Sequence, residues 1–151
     1  MLVGTTNRMR NVIRYSTCHR QHNETLAEHH YYTALFSALI AKDIGVQVNT
    51  EIVMLKALVH DVEESVSGDF MRSFKHSSPE LKAAIEKGSE AFVYSMFNRI
   101  NSNGAFDGAW KNAKDHSLEG RIVKFADFLS VLSYIYQELA SGNKLIIENN
   151  D

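Results

Sequence analysis

A single cysteine, Cys18, excludes an intramolecular disulfide, so this chain holds its fold without a covalent staple, as proteins of reducing compartments do. One proline and eight glycines leave few breakers in 151 residues. No segment alternates apolar and polar residues over the length of a half-buried strand. No apolar run approaches the ~18 residues of a bilayer span, and the first residues lack the pattern of a secretory signal. The expectation is therefore a protein without a membrane segment, located in the cytoplasm. Charge of one sign is also missing. Sixteen Lys and Arg against eighteen Asp and Glu give a net charge of -2, which excludes a broad surface for nucleic-acid polymer but not a local phosphate pocket.

What is present is helical periodicity. The length predicts one domain, residues 1–151, with a core of its own. The first fifteen residues allow a short helix. A longer one is expected from Thr25 to Ile44, with Tyr31, Ala34, Leu35, Ala38 and Leu39 inward and Gly45 as its stop. Another begins after Asn49 or Thr50 and turns Ile52, Leu55, Leu58, Val59 and Val62 to the core. Ser78-Pro79 opens a third, which buries Leu81, Ala84, Ile85, Phe92 and Met96. After a break at Asn101-Ser102-Asn103-Gly104, a last long helix carries Leu118, Ile122, Phe125, Ala126, Leu129, Leu132, Tyr136 and Ala140 and ends at Gly142-Asn143. The fold class is all-α.

The most informative pair is His60-Asp61, at the end of the apolar stretch Ile52 to Val62. An imidazole beside a carboxylate offers nitrogen and oxygen donors suited to a divalent cation. Alone it is a common dipeptide. Here Glu28-His29 stands on an upstream apolar helix and Asp127 on a downstream one, where Phe125, Ala126, Phe128 and Leu129 flank a carboxylate that would be costly to bury unpaired. Donors from three helices can converge on one ion.

The spacing resembles that of HD-domain metal-dependent phosphohydrolases, and more closely their bacterial 5′-deoxynucleotidase branch. The matching segments are Arg14-Tyr15, Glu24-Thr25-Leu26-Ala27-Glu28-His29, His60-Asp61-Val62-Glu63-Glu64 with Gly68-Asp69, Lys75, Lys124-Phe125-Ala126-Asp127, and Glu138-Leu139-Ala140-Ser141-Gly142-Asn143. They cover Arg14 to Asn143. The resemblance implies a compact HD-domain bundle of about six helices that assembles as a homodimer or higher homo-oligomer. It implies His29, His60, Asp61 and Asp127 as ligands of one divalent transition metal (cobalt, manganese, zinc, iron or nickel), with a second ion such as magnesium available to bridge phosphates. Glu64 resembles the catalytic acid/base, Arg14 the phosphate-binding arginine, Asp69 the carboxylate that takes the sugar 3′-hydroxyl, and Lys75 a phosphate-side lysine. Tyr15 stands where the cellular enzymes usually have a tryptophan against the sugar or base.

The chain departs from the branch after Gly68-Asp69, where a proline-containing stretch is replaced by Phe70-Met71-Arg72-Ser73-Phe74. Arg72 adds a positive charge there. The chain is also shorter than the cellular enzymes, and compact relatives include phage-encoded members that remove triphosphate from dATP, so a phage-infected host cytoplasm is a possible setting beside a bacterial one. The expected activity is hydrolysis of the 5′ phosphoester of a small 2′-deoxynucleotide, to deoxynucleoside and phosphate. The alternative is release of triphosphate from a deoxynucleoside triphosphate. A catalytically inactive nucleotide-binding module is the competing class, and an inert helical bundle a third. Glu63 reads as a solvated helix-end carboxylate. His30 points about 100° away from His29, and His19, His22, His76 and His116 read as exposed. Cys18 has no evident base. Trp110, Phe125, Phe128, Tyr134 and Tyr136 read as core or dimer interface.

Overall fold

The computed structural model describes residues 2–100 and 103–147. Eight α-helices occur among them: α1 (Leu2–Arg8), α2 (Leu26–Asp43), α3 (Thr50–Val59), α4 (Glu64–Ser67), α5 (Arg72–Lys75), α6 (Pro79–Phe97), α7 (Ala105–Lys111) and α8 (Leu118–Ala140). Single-turn α4 and α5 add to the six longer helices. The only β pairing among the described residues is an isolated antiparallel bridge, Ile13 to Thr25. No described helix is long and apolar enough to cross a membrane. In the break after α6, Asn101 and Ser102 lie outside the described residues, while Asn103 and Gly104 take positive φ of 51° and 77°.

Local chemistry sets the helix starts. Thr25 and Glu28 form a capping box on α2: Thr25 Oγ1 accepts from the Glu28 N–H at 3.2 Å, and the Glu28 carboxylate accepts from the Thr25 N–H at 2.7 Å. Asn49 caps α3, Ser78 followed by Pro79 caps α6, and Ser117 caps α8. The helix expected through Val62 ends at Val59. Beyond it the chain descends in tight turns (Val62 N–H to Val59 O at 3.1 Å, Glu64 N–H to Asp61 O at 3.0 Å) into α4. Gly68, at φ 78°, ends α4 in a conformation costly for any side chain and redirects Asp69.

α2 packs against both α3 and α8, α3 also meets α8 and α7, and two apolar clusters result. One gathers Met9, Leu26, Val59, Val62, Val93, Met96 and Phe97. The other gathers Ala34, Ala41, Val53, Ala57, Ile122 and Val123. The orientation of α2 differs from the one its hydrophobicity predicts. Its buried face is Leu26, His29, His30, Thr33, Ala34, Ser37 and Ala41, whereas Tyr31 and Leu39 are 62% and 56% exposed. On α8, Phe125 and Phe128 are likewise 55% and 56% exposed, with Leu132 and Tyr136 also outward. On α3, Ile52 and Leu58 are outward and Lys56 is buried. On α6 the buried residues are Val93, Met96 and Phe97, with Ala84 exposed. The physical reason on α2 is close packing. Ala34, Ser37 and Ala41 let its backbone approach its neighbours, and the polar residues turned inward have a site to build.

The last helix also fixes the segment between α1 and α2. Glu138, fully buried on α8, accepts from the Gln21 N–H at 2.8 Å, the His22 N–H at 2.7 Å, His22 Nδ1 at 3.0 Å and Asn143 Nδ2 at 2.6 Å. Asn143 Nδ2 also donates to the His19 carbonyl at 3.0 Å, and Tyr134 Oη donates to the His22 carbonyl at 2.8 Å. Glu138 through Asn143, the last matching run of the sequence, is thus a clamp on residues 19–22. His22 is half-buried in this network, not free in solvent as expected.

Candidate metal centre

His29 lies in the first turns of α2, His60 caps the end of α3, Asp61 follows it, and Asp127 lies within α8. One ligand atom from each falls within 4.8 Å of all the others, so the fold brings together the four donors singled out in the sequence. The two imidazole Nε2 atoms are 3.3 Å apart. Asp127 Oδ1 is 3.1 Å from His29 Nε2 and 3.9 Å from His60 Nε2, and Asp61 Oδ2 is 3.1 Å from His60 Nε2.

The tautomer of His60 follows from its outer contact. His60 Nδ1 lies 2.8 Å from the Ala57 carbonyl, which only accepts, so Nδ1 carries the proton and Nε2 keeps its lone pair. His29 Nδ1 lies 3.1 Å from Ser130 Oγ, a hydroxyl that can serve either tautomer of the ring. Burial pushes His29 down to about 4, so the ring is neutral at ordinary pH. His60 Nε2 thus turns its lone pair toward the point where His29 Nε2 and the two carboxylates meet. Two nitrogens and two carboxylate oxygens, with outer-shell partners in place, fit a divalent transition metal. Glu28, the other half of the Glu28-His29 pair, is spent on the α2 cap.

Lys114, in the α7–α8 connection, was not singled out in the sequence. Its Nζ is 2.7 Å from Asp127 Oδ2 and 3.4 Å from Asp61 Oδ1, the oxygens that do not face the imidazoles. Burial alone would raise both carboxyls. The Lys114 charge opposes this and holds both Asp61 and Asp127 below the usual carboxylate range. The connection is itself locked. Asp115 Oδ1 accepts from buried Lys56 Nζ at 3.0 Å and from the Ser117 N–H at 3.1 Å, and Ser117 Oγ closes on the same oxygen. A Cβ on Gly120 would lie 2.7 Å from the Asp115 backbone N and O, so only glycine admits this approach of the turn to α8.

Glu64 opens α4 and is joined to Asp61 by the turn described above, so the two share a side without sharing one helix. Burial and the negative charges of Asp61, Asp69 and Glu63 hold the Glu64 carboxyl well above its ordinary range. Arg14 reaches Glu24 Oε2 at 3.0 Å and comes within 3.9 Å of Asp69 Oδ2, while its Nε is buried without a hydrogen-bond partner. Burial opposes the guanidinium charge, but Tyr15, Glu24, Asp69 and Asp61 outweigh it and keep Arg14 protonated. Burial pushes Glu24 up to about 7 despite Arg14. Asp69 Oδ2 accepts from the Tyr15 N–H at 3.2 Å. Tyr15 itself sits at φ 54°, a strained conformation for a non-glycine residue, with its ring stacked on Tyr134 at 5.1 Å between centroids.

Other expected residues fall further out. Lys75 is half-buried and close enough for its charge to lower Asp69 and Glu63. Arg72 is exposed at the start of α5, and no hydrogen bond or ion pair joins it to the residues above. Glu63 is not a solvated carboxylate: it is buried and accepts from Trp110 Nε1 at 2.6 Å. His30 is buried too, stacked on His60 with ring centroids 4.4 Å apart, and its Nδ1 lies 3.2 Å from the Leu58 carbonyl.

The family described as YfbR-like 5′-deoxynucleotidase matches residues 2–150 of this chain. The 5′-deoxynucleotidase VP0926 of Vibrio parahaemolyticus is 25% identical over 142 residues, which cover 90% of this chain and 73% of that protein. The 5′-deoxynucleotidase YfbR of Salmonella typhi is 26% identical over 148 residues, covering 91% and 72%. Among solved structures, an HD-domain phosphohydrolase from Listeria innocua is similar with a TM-score of 0.81 at 23% identity, over 98% of this chain and 74% of that one. The cyanophage S-2L HD phosphohydrolase DatZ, bound to dA and one catalytic Zn2+ ion, is similar with a TM-score of 0.65 at 19% identity, over 87% and 68%.

Proposed function

Because the chain belongs to the YfbR-like 5′-deoxynucleotidase family and has the HD-domain fold, we propose that it hydrolyses the 5′ phosphoester of 2′-deoxynucleoside monophosphates, releasing deoxynucleoside and phosphate. The observation that carries this reading is the convergence of His29, His60, Asp61 and Asp127 within 4.8 Å of one another, with Arg14 and Glu64 both near enough to feel the charge of Asp61. His29, His60, Asp61 and Asp127 would hold one divalent ion, and such an ion acidifies water and withdraws charge from a phosphoryl group. The Zn2+ in DatZ is one member of the set these donors accept.

The chain's own groups supply the rest. Arg14 holds phosphoryl oxygens, with an Nε–H donor still unmet inside the protein. A water oxygen bonds to phosphorus as the P–O5′ bond breaks; Glu64, protonated, gives its proton to the departing 5′-oxygen, and the inorganic phosphate leaves with the water's oxygen and a proton from it. Asp69 spends one oxygen on the Tyr15 N–H and offers the other to the sugar 3′-hydroxyl. The Tyr15 ring, backed by Tyr134, forms one wall for the sugar or base. Lys75, and more remotely Arg72, add positive charge on the phosphate side.

Product analysis tests this reading. The protein is incubated with dAMP and with dATP, plus Mn2+ or Co2+. Deoxyadenosine and phosphate from dAMP are the expected products. Deoxyadenosine with intact triphosphate from dATP would replace the monophosphatase reading with a triphosphohydrolase one, the alternative suggested by similarity to a dA-bound phage protein. No product from any of the four bases at either phosphorylation level would leave a binding module.

We also propose that two copies of the chain pair through the apolar stripe of α2 and α8. Tyr31, Leu35 and Leu39 are exposed at i, i+4 spacing on α2, and Phe125, Phe128, Leu132 and Tyr136 along α8, large apolar side chains of the kind that mark an interaction surface. Sedimentation at micromolar concentration should give a dimer, and Phe125→Glu combined with Phe128→Glu should give a monomer. A monomeric parent protein would sink the idea.

A further inference from the structure

We propose that Lys114 is a substrate-contacting residue, donating to a phosphoryl oxygen at the metal centre as a second cation beside Arg14. The inference deepens the phosphohydrolase reading and rests on it.

The argument starts from how the carboxylates are divided. Each offers one oxygen to the imidazole side, Asp61 Oδ2 and Asp127 Oδ1, and the other to Lys114 Nζ. An ion among the four donors and the Lys114 ammonium therefore do not compete for the same oxygen. An ammonium has three donors. One makes a short bond to Asp127 Oδ2 and a second makes a long contact with Asp61 Oδ1, which leaves one for another acceptor. The side chain is 32% exposed. With His60, the one cage donor on its wall, it lines a cavity of about 480 Å³ that Glu63, Glu86, Glu90 and Asp115 also border, so the ammonium is open to a ligand on that side.

Charge points the same way. A divalent ion is cancelled by Asp61 and Asp127, so the cage offers a phosphate dianion no net attraction. Arg14 has Glu24 and Asp69 beside it. Lys111, which lines the same cavity, is paired with Glu90 at 2.8 Å. Lys114 touches only carboxylates that the ion already neutralises, so its charge is left for the substrate. Arg14 arrives from the α1–α2 segment and Lys114 from the α7–α8 connection, and the two approach the phosphoryl group independently. The lysine's mobile stem suits a point contact of this kind, while the locked turn at Asp115 and Gly120 fixes where the stem begins.

The test is equilibrium binding of inorganic phosphate to the Co2+-loaded protein by calorimetry, which needs no turnover and so can fail separately from the deoxynucleotidase reading. Lys114→Met should weaken phosphate binding by about 10- to 100-fold, the loss expected for one charge-assisted hydrogen bond. Lys114→Arg should restore most of it. Co2+ affinity, read from the absorption of the bound ion, should be unchanged or tighter in Lys114→Met, because a neighbouring positive charge has gone. Unchanged phosphate affinity in Lys114→Met would overturn the proposal. So would a loss of Co2+ affinity in step with phosphate, which would make Lys114 a support for the carboxylates only.

Discussion

Replacing Asp127 with alanine is expected to lower deoxynucleotide turnover by about three orders of magnitude or more while the protein stays folded. A metal that withdraws phosphoryl charge lowers the barrier by several kcal/mol, and each ~1.4 kcal/mol is a factor of ten. Asp127 is an interior donor of the cage, 3.1 Å from His29 Nε2, and it also holds Lys114 at 2.7 Å. Its removal withdraws a ligand and turns the ammonium toward Asp61, adding positive charge beside the metal position. The fold should tolerate this, because the change also removes one of two neighbouring carboxylates and touches neither apolar cluster. The measurement is a pair of thermal melts with and without Co2+, alongside the assay. The parent should melt higher with metal, by linkage of about 2.7 kcal/mol at a hundredfold excess over Kd. The variant should show no such increment. A variant that keeps both the increment and the turnover would remove Asp127 from the site.

The second large effect is on stability. Glu138→Ala should cost about 3–5 kcal/mol, the range for breaking a buried charged network by removing one partner. It strands the Gln21 and His22 N–H groups and the Asn143 amide inside the protein. Against a typical total of about 5–15 kcal/mol, that is a large fraction, and melting should fall by roughly 10 °C. The pH dependence has a definite sign. Burial alone would raise the Glu138 carboxyl, but the bonds from Asn143, Gln21 and His22 outweigh it and bring it from 4.5 to about 2. The folded form therefore holds the ionised group more favourably. The stabilisation is complete above pH 4.5 and fades as pH falls toward 2. Urea titrations of the parent and of Glu138→Gln should differ most near pH 7 and converge toward pH 2. A difference that stays flat with pH, or a neutral alanine variant, would contradict the clamp.

The four candidate donors were legible because such residue types are rare at such positions and because the His60-Asp61 dipeptide marks the end of an apolar stretch. The helices were legible from their caps, and α2, α3, α6 and α8 begin where Thr25, Asn49, Ser78 and Ser117 place them. Which face of α2 turns inward was not legible. Hydrophobicity assigns Tyr31, Leu35 and Leu39 to the interior. The helix instead turns in its histidines, with Thr33 and Ser37, since a metal cage needs polar groups out of water and close packing needs small ones. Ser130 had a signal that was missed: it lies three residues after Asp127 and so shares its face. Lys114 had none. It is one lysine in the polar run Lys111-Asn112-Ala113-Lys114-Asp115-His116, and only the fold distinguishes it from Lys111. Glu63 was misread because its partner, Trp110, is 47 residues away.

The position of α8 in the chain has a consequence for synthesis. His29, His60 and Asp61 emerge from the ribosome well before Asp127. The contact between His29 Nδ1 and Ser130 Oγ closes across 101 residues, and the clamp on residues 21 and 22 closes across 117 and 116. A nascent chain with α2 and α3 exposed thus holds three donors without their fourth, and a Tyr15 ring without the Tyr134 ring it stacks on. On the proposed function, metal capture and nucleotide binding would therefore be late events, and each would report that the last long helix has docked.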